Sequence, residues 1–118
     1  MAVPQPLQLT LKKAARVLEV SFDDGQVFAL SFEYLRVQSP SAEVKGHGGP
    51  MLLVLGKENV GILRIEPVGQ YAIKPVFDDG HDSGLFTWKY LYELGLEHPH
   101  RWAEYQRRRA AAGQAAQQ

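Results

Sequence analysis

The chain has 118 residues, 45% of them hydrophobic and 22% charged, with thirteen acidic residues balancing thirteen basic ones and no cysteine. That length carries one domain with a self-sufficient core, and the balanced charge supplies no global field for nucleic acid or an anionic membrane. The lack of cysteine removes disulfides, thiolate chemistry and cysteine-ligated zinc or iron–sulfur clusters.

Residues 1–6 carry Pro4 and Pro6 and read as a flexible lead-in. Lys12, Lys13 and Arg16 interrupt the apolar residues that follow, so neither a signal peptide nor a membrane span is expected there, and the expected location is the cytoplasm. "LQLTLKKAARVLEVSF" alternates twice, which predicts two strands around a turn near Lys13–Ala15, although "LKKAARVLEV" also suits a short helix. "DDG" at 23–25 is hairpin chemistry, because Gly25 accepts positive φ and the aspartates can bond the turn backbone. "QVFALSF" resumes a strand, and "SFEYLRV" predicts a helical turn capped by Ser31. The stretch 38–50, "QSPSAEVKGHGGP", is loop-like. Beyond it, Ile62–Pro67 and Tyr71–Phe77 predict strands joined by a turn at Gly69, and Pro75 argues for an edge position. After a second acidic turn, Thr87 is placed to cap a helix that Gly95 can stop, and a further amphipathic helix enters at Pro99. "GQAAQQ", 113–118, reads as a flexible tail.

The chain thus uses one phrase twice. Phe22-Asp23-Asp24-Gly25 leads to Phe32, Tyr34 and Leu35, and Phe77-Asp78-Asp79-Gly80 leads to Trp88, Tyr90 and Leu91. A turn-plus-aromatic motif of this kind is first a folding unit, with the aromatics in the core. The expected class is α+β: a mixed, mainly antiparallel sheet of five to seven strands with two C-terminal helices, in a single domain over residues 7–112. Its expected core is Leu9, Val17, Val20, Phe28, Leu30, Leu35, Ile62, Ile65, Ile73, Val76, Phe86, Leu91 and Leu94.

The second copy holds residues that folding does not require. Its insertion brings His81 and Asp82, which suit a metal ligand, a proton carrier or a solvated turn. His47, between glycines, has the same ambiguity, and "GHGG" lacks the Lys-Ser/Thr of a phosphate loop. His98 and His100 flank Pro99 and suit a cap or surface role. Arg107–Arg109 suits a solvated helix end that complements the helix dipole. No Gly-x-Ser-x-Gly or His-Glu-x-x-His occurs.

"LRVQSPSAEVKGHG" together with "YAIKPVFDDGHDSGLFTWKYLYELG" resembles the DUF971 family, which is similar to the N-terminal domain of gamma-butyrobetaine dioxygenase; the likeness runs from about Leu9 to Leu96. The resemblance implies a small β-rich domain without the dioxygenase's catalytic part. It also implies company with Mrp-type P-loop ATPases that carry iron–sulfur clusters. In the dioxygenase this domain binds a structural zinc through three cysteines and a histidine. The resemblance places His81 at the histidine, and Ser39, Ser41 and Val44 at the cysteines, so structural zinc is not expected here. The resulting expectation is a non-enzymatic accessory or interaction domain, linked to iron–sulfur cluster handling or to a dioxygenase-type partner, without nucleic acid or membrane. The alternative is a divalent-metal domain using His81, His47 and Asp82.

Overall fold

In the computed structural model the described residues are 4–40 and 53–116, with side chains described to 113. The backbone runs β1 (Pro6–Lys12), β2 (Val17–Phe22), β3 (Val27–Ser31), α1 (Phe32–Val37), β4 (Ile62–Val68), β5 (Ala72–Phe77), β6 (Phe86–Thr87), α2 (Trp88–Leu96) and α3 (His98–Ala116). The class is α+β, with all strand pairs antiparallel. The six strands divide into two three-stranded sheets, β1-β2-β3 and β4-β5-β6, where one sheet was expected. The strands begin one residue before the expected domain start. At the other end α3 keeps 113–116 helical, where a tail was expected.

The two sheets are the two copies of the phrase, and the hydrogen bonds of their turns and helix caps correspond. Gly25 and Gly80 take φ +91° and +92°, the left-handed region that a side chain would strain. Phe22 N–H donates to Gln26 O at 2.8 Å, as Phe77 N–H does to His81 O at 3.0 Å. Gln26 N–H donates to Asp24 Oδ1 at 3.0 Å, and His81 N–H to Asp79 Oδ1 at 3.1 Å. Ser31 and Thr87 cap their helices by accepting from Tyr34 N–H and Tyr90 N–H, each at 3.1 Å. Even the edge-strand irregularity repeats, with register shifts at Pro6/Gln8 and at Ile62/Arg64.

The copies then embrace. Tyr34 Oη donates to Leu94 O at 2.7 Å, while Tyr90 Oη donates to Gln38 O, so each helix carries a tyrosine bonded to the end of the other. The relation is a pseudo-twofold, and the shared core lies along it: Leu18, Val20, Phe22, Leu30 and Leu35 from one copy meet Ile62, Ile73, Phe77, Phe86, Leu91 and Leu94 from the other.

Four local expectations need correction. Val17 and Val76 are half-exposed, because the inward phases of β2 and β5 are Leu18/Val20/Phe22 and Ile73/Pro75/Phe77. Pro75 lies on the central strand rather than an edge; β6 pairs only with Ala72 and Ile73, so no β6 partner is deprived of an N–H there. Gly95 does not stop α2, which continues to Leu96. Its role is steric, since a Cβ there would sit 2.3 Å from the Phe28 ring. Arg109 is likewise no solvated helix end. It reaches Glu33 at 3.0 Å and Glu58 at 3.2 Å, docking α3 onto α1 and the β4 approach.

Candidate functional site

The pseudo-twofold supplies an internal control. Around the first acidic turn the packing is aromatic: Phe22, Phe28 and Tyr92 meet edge to face at 5.1–5.9 Å between centroids. Tyr92 also donates its hydroxyl to Asp24. The corresponding place at the second turn is polar. Arg36 stands where Tyr92 stands, over Phe77 at 5.9 Å, and its Nε donates to Asp79 Oδ2 at 2.9 Å. His81 lies 5.9 Å from Phe77, filling space that Phe28 fills in the first copy.

Small residues make the exchange possible. In the first copy bulky Phe28 presses on Gly95. In the second the order reverses: Gly84 faces Ser39, and a Cβ on Gly84 would come within 2.1 Å of Ser39 Oγ. The space freed by losing a phenylalanine is taken by Ser39 and His81, fully buried and 5% exposed respectively. Ser39 Oγ and His81 Nε2 are 2.9 Å apart, in hydrogen-bond contact.

Asp79 organises the charges. Its Oδ2 accepts from Arg36 and from Lys57 Nζ, the latter at 2.7 Å, while Oδ1 accepts the His81 N–H. Burial alone would raise its pKa, but the bonds from Lys57, the His81 amide and Arg36 outweigh that and hold the carboxyl down to about 2. Arg36 is 8% exposed, and its Nη1 is buried without a hydrogen-bond partner among the described residues. An unmade bond at a buried cation is costly.

Among the sequence-predicted residues, Asp79 and His81 come together here with Gly80 at the bend. Asp78 is exposed, with its N–H bonded to Gly61 O at 2.9 Å. Asp82 is exposed on the outer side of the turn. His47, Ser41 and Val44 lie outside the described residues. Leu91 is fully buried; Trp88 and Tyr90 pack against the core, Trp88 bonding Gln70 O at 2.8 Å. Sequence reasoning missed Arg36 and Lys57 as partners of Asp79. For Arg36 the signal was present, as it occupies the position in the repeat that Tyr92 occupies in the second copy.

The donor set does not fit a structural zinc. A neutral serine hydroxyl stands beside His81, and no group of three or more His, Cys, Asp or Glu able to hold a metal occurs among the described residues.

Comparison with known proteins agrees with this architecture. The sequence pattern described as "Gamma-butyrobetaine hydroxylase-like, N-terminal" matches residues 9–92. A crystal structure of a DUF971-family protein of unknown function from Acidithiobacillus ferrooxidans is 42% identical with a TM-score of 0.67, over 77% of this chain and 92% of that one. A solution structure determined by NMR is 55% identical with a TM-score of 0.80, over 93% and 83% of the two chains. A second is 50% identical with a TM-score of 0.82, over 95% and 89%. No curated protein matches the chain.

Proposed function

The chain belongs to the gamma-butyrobetaine hydroxylase-like N-terminal family, DUF971, and from that membership and the burial of its polar corner we propose a non-catalytic accessory domain that docks a protein partner. The carrying observation is the Ser39–His81 contact. Both residues are nucleophile-and-base types at hydrogen-bond distance, yet Ser39 has no exposed surface and His81 only 5%. A reacting carbonyl or phosphoryl group needs a position about 3 Å from such a nucleophile, and this burial leaves it no approach. The pair therefore serves to hold the segment after α1 against the second turn.

The partner class follows from the company that the family's resemblance implies: an Mrp-type P-loop ATPase or another cluster-assembly protein in the cytoplasm, or a dioxygenase-type enzyme. The test is co-purification of the tagged chain from its native cells. Enrichment of such an ATPase or cluster-assembly protein over an untagged control is the expected result. Recovery of none, under conditions where a known cluster-assembly pair is recovered, would sink the reading.

A divalent ion at His81 is the second reading, since the resemblance places a metal-binding histidine at this position. Asp82 and His47 would have to complete the ligands; Asp82 is exposed, and His47 lies outside the described residues. Elemental analysis of untagged protein decides it.

A further inference from the structure

The two sheets do not join. Between the edges β1 and β4, unpaired among the described residues, runs an open groove of about 510 Å³. Leu9 and Leu11 form one wall, Ile65 and Pro67 the other, and the core residues Leu18 and Ile73 the floor. Leu63, 53% exposed, adds an apolar lip, and Trp88 closes one end. Apolar surface gathered in a concavity of this size marks a binding site more often than scattered surface leucines do.

Two features define the occupant. Its charge is set by the lining, whose charged members among the described residues are Lys13 and Arg64. Arg64 is held by Glu66 at 2.9 Å, but both side chains are exposed, 63% and 37%, and such a surface pair exchanges readily for another carboxylate. Its mode of attachment is set by the edges. Both strands carry a register shift, and Pro6 and Pro67 remove amide donors, so a strand added through backbone bonds is blunted on either side. Recognition then falls to apolar side chains entering the groove. We propose that the groove receives an apolar segment of a partner protein flanked by acidic residues, a proposal that rests on the interaction-domain reading above.

The probe is a fluorescein-labelled peptide with a leucine-rich centre and glutamate flanks, set against the same peptide with lysine flanks. Binding is followed by anisotropy and by the shift in tryptophan emission as Trp88 loses water. The full chain should bind the glutamate-flanked probe at least about tenfold more tightly than the lysine-flanked one. Leu63→Asp, at an exposed position that leaves the core intact, should weaken binding about tenfold or more without moving the melting temperature. Lys13→Glu should reverse the preference between flanks. Equal affinity for the two probes, or indifference to Leu63→Asp, overturns the proposal. So does a concentration-dependent dimer abolished by Leu63→Asp, which would make a second copy the occupant. Decanoate binding at Trp88 without peptide binding overturns it in favour of a small amphipathic anion. If Leu63→Asp still recovers the cellular partner, the groove fails and the interaction reading stands. If the wild type recovers none yet binds the acidic probe selectively, the reverse holds.

Discussion

Asp24 and Asp79 occupy the same position in the two copies, make the same bond to the following turn amide, and each accept a donor from the opposite helix. Truncating each to alanine therefore compares the polar corner with its aromatic counterpart inside one molecule. Asp79→Ala leaves Arg36, whose side chain is 10% exposed, with neither Nε nor Nη1 satisfied, and deprives Lys57 of its partner. Breaking a fully buried pair costs about 3–5 kcal/mol; Asp79 is 20% exposed and Lys57 can turn to water, so about 2–4 kcal/mol is the expectation here. Asp24→Ala strands no buried charge, since Tyr92 can give its hydroxyl to solvent, and its effect should be distinctly smaller. Urea unfolding followed by far-ultraviolet circular dichroism measures both, with equal m-values as the check that neither variant changes the unfolded ensemble. Equal losses of stability would refute the argument, because they would mean that the turn amide bond, common to both, is all that either aspartate contributes.

The same carboxyl sets an acid limb. Its folded pKa lies below the ordinary value, so the stabilisation is complete above about pH 4 and is lost as pH falls through about 2. Unfolding midpoints measured across that window should drop more steeply for the parent than for Asp79→Asn; parallel curves would remove Asp79 as the cause. Gly95→Ala opposes two effects: alanine favours a helix interior by about 1 kcal/mol over glycine. Its methyl would meet the Phe28 ring at 2.3 Å, and overpacking of that kind costs about 1–3 kcal/mol. Net destabilisation is expected by thermal melting, and a rise in melting temperature would show that Phe28 gives way.

Much of the fold was legible because local chemistry and repetition agreed. The acidic turns, the Ser31 and Thr87 caps and the burial of Tyr34, Leu35 and Leu91 all follow from residue type and spacing. The phase of β5 was not, because Pro75 points inward as an apolar residue in a run where Val76 looks the better candidate. Nor was the separation of the sheets: a repeated sequence shows that two units exist, not whether they meet edge to edge or face across an axis. Gly95 looked like a stop because helix ends favour glycine, yet its reason lies in Phe28, distant in sequence. For the site, His81 could be picked out as a leftover of the second copy, and Asp79 as a member of the acidic turn that both copies share. The resemblance set His81 against the segment at Ser39, but the partners of Asp79 were missed, since Arg36 and Lys57 reach it only through the tertiary embrace.

That embrace also bears on why the polar corner exists. The first copy shows what folding needs at this position: three aromatic rings and one hydroxyl-to-carboxylate bond, with no buried charge. The second could in principle be built the same way, with an aromatic at Gly84 once Ser39 became glycine, the same pair that Phe28 and Gly95 already form. Instead it buries an arginine with an unsatisfied nitrogen, a serine and a histidine. Replacing buried ionic groups with well-packed apolar ones is often neutral or stabilising, so stability alone does not account for keeping them. What they add is directional: Ser39 is tied to the second turn, and Arg36 ties α1 to the same turn, which fixes where the chain leaves α1. An aromatic cluster would hold that exit by contact alone, with no bond to set its direction. On this reasoning the corner fixes Ser39 and the end of α1 against the second turn, and the groove between β1 and β4 remains a separate surface for a partner.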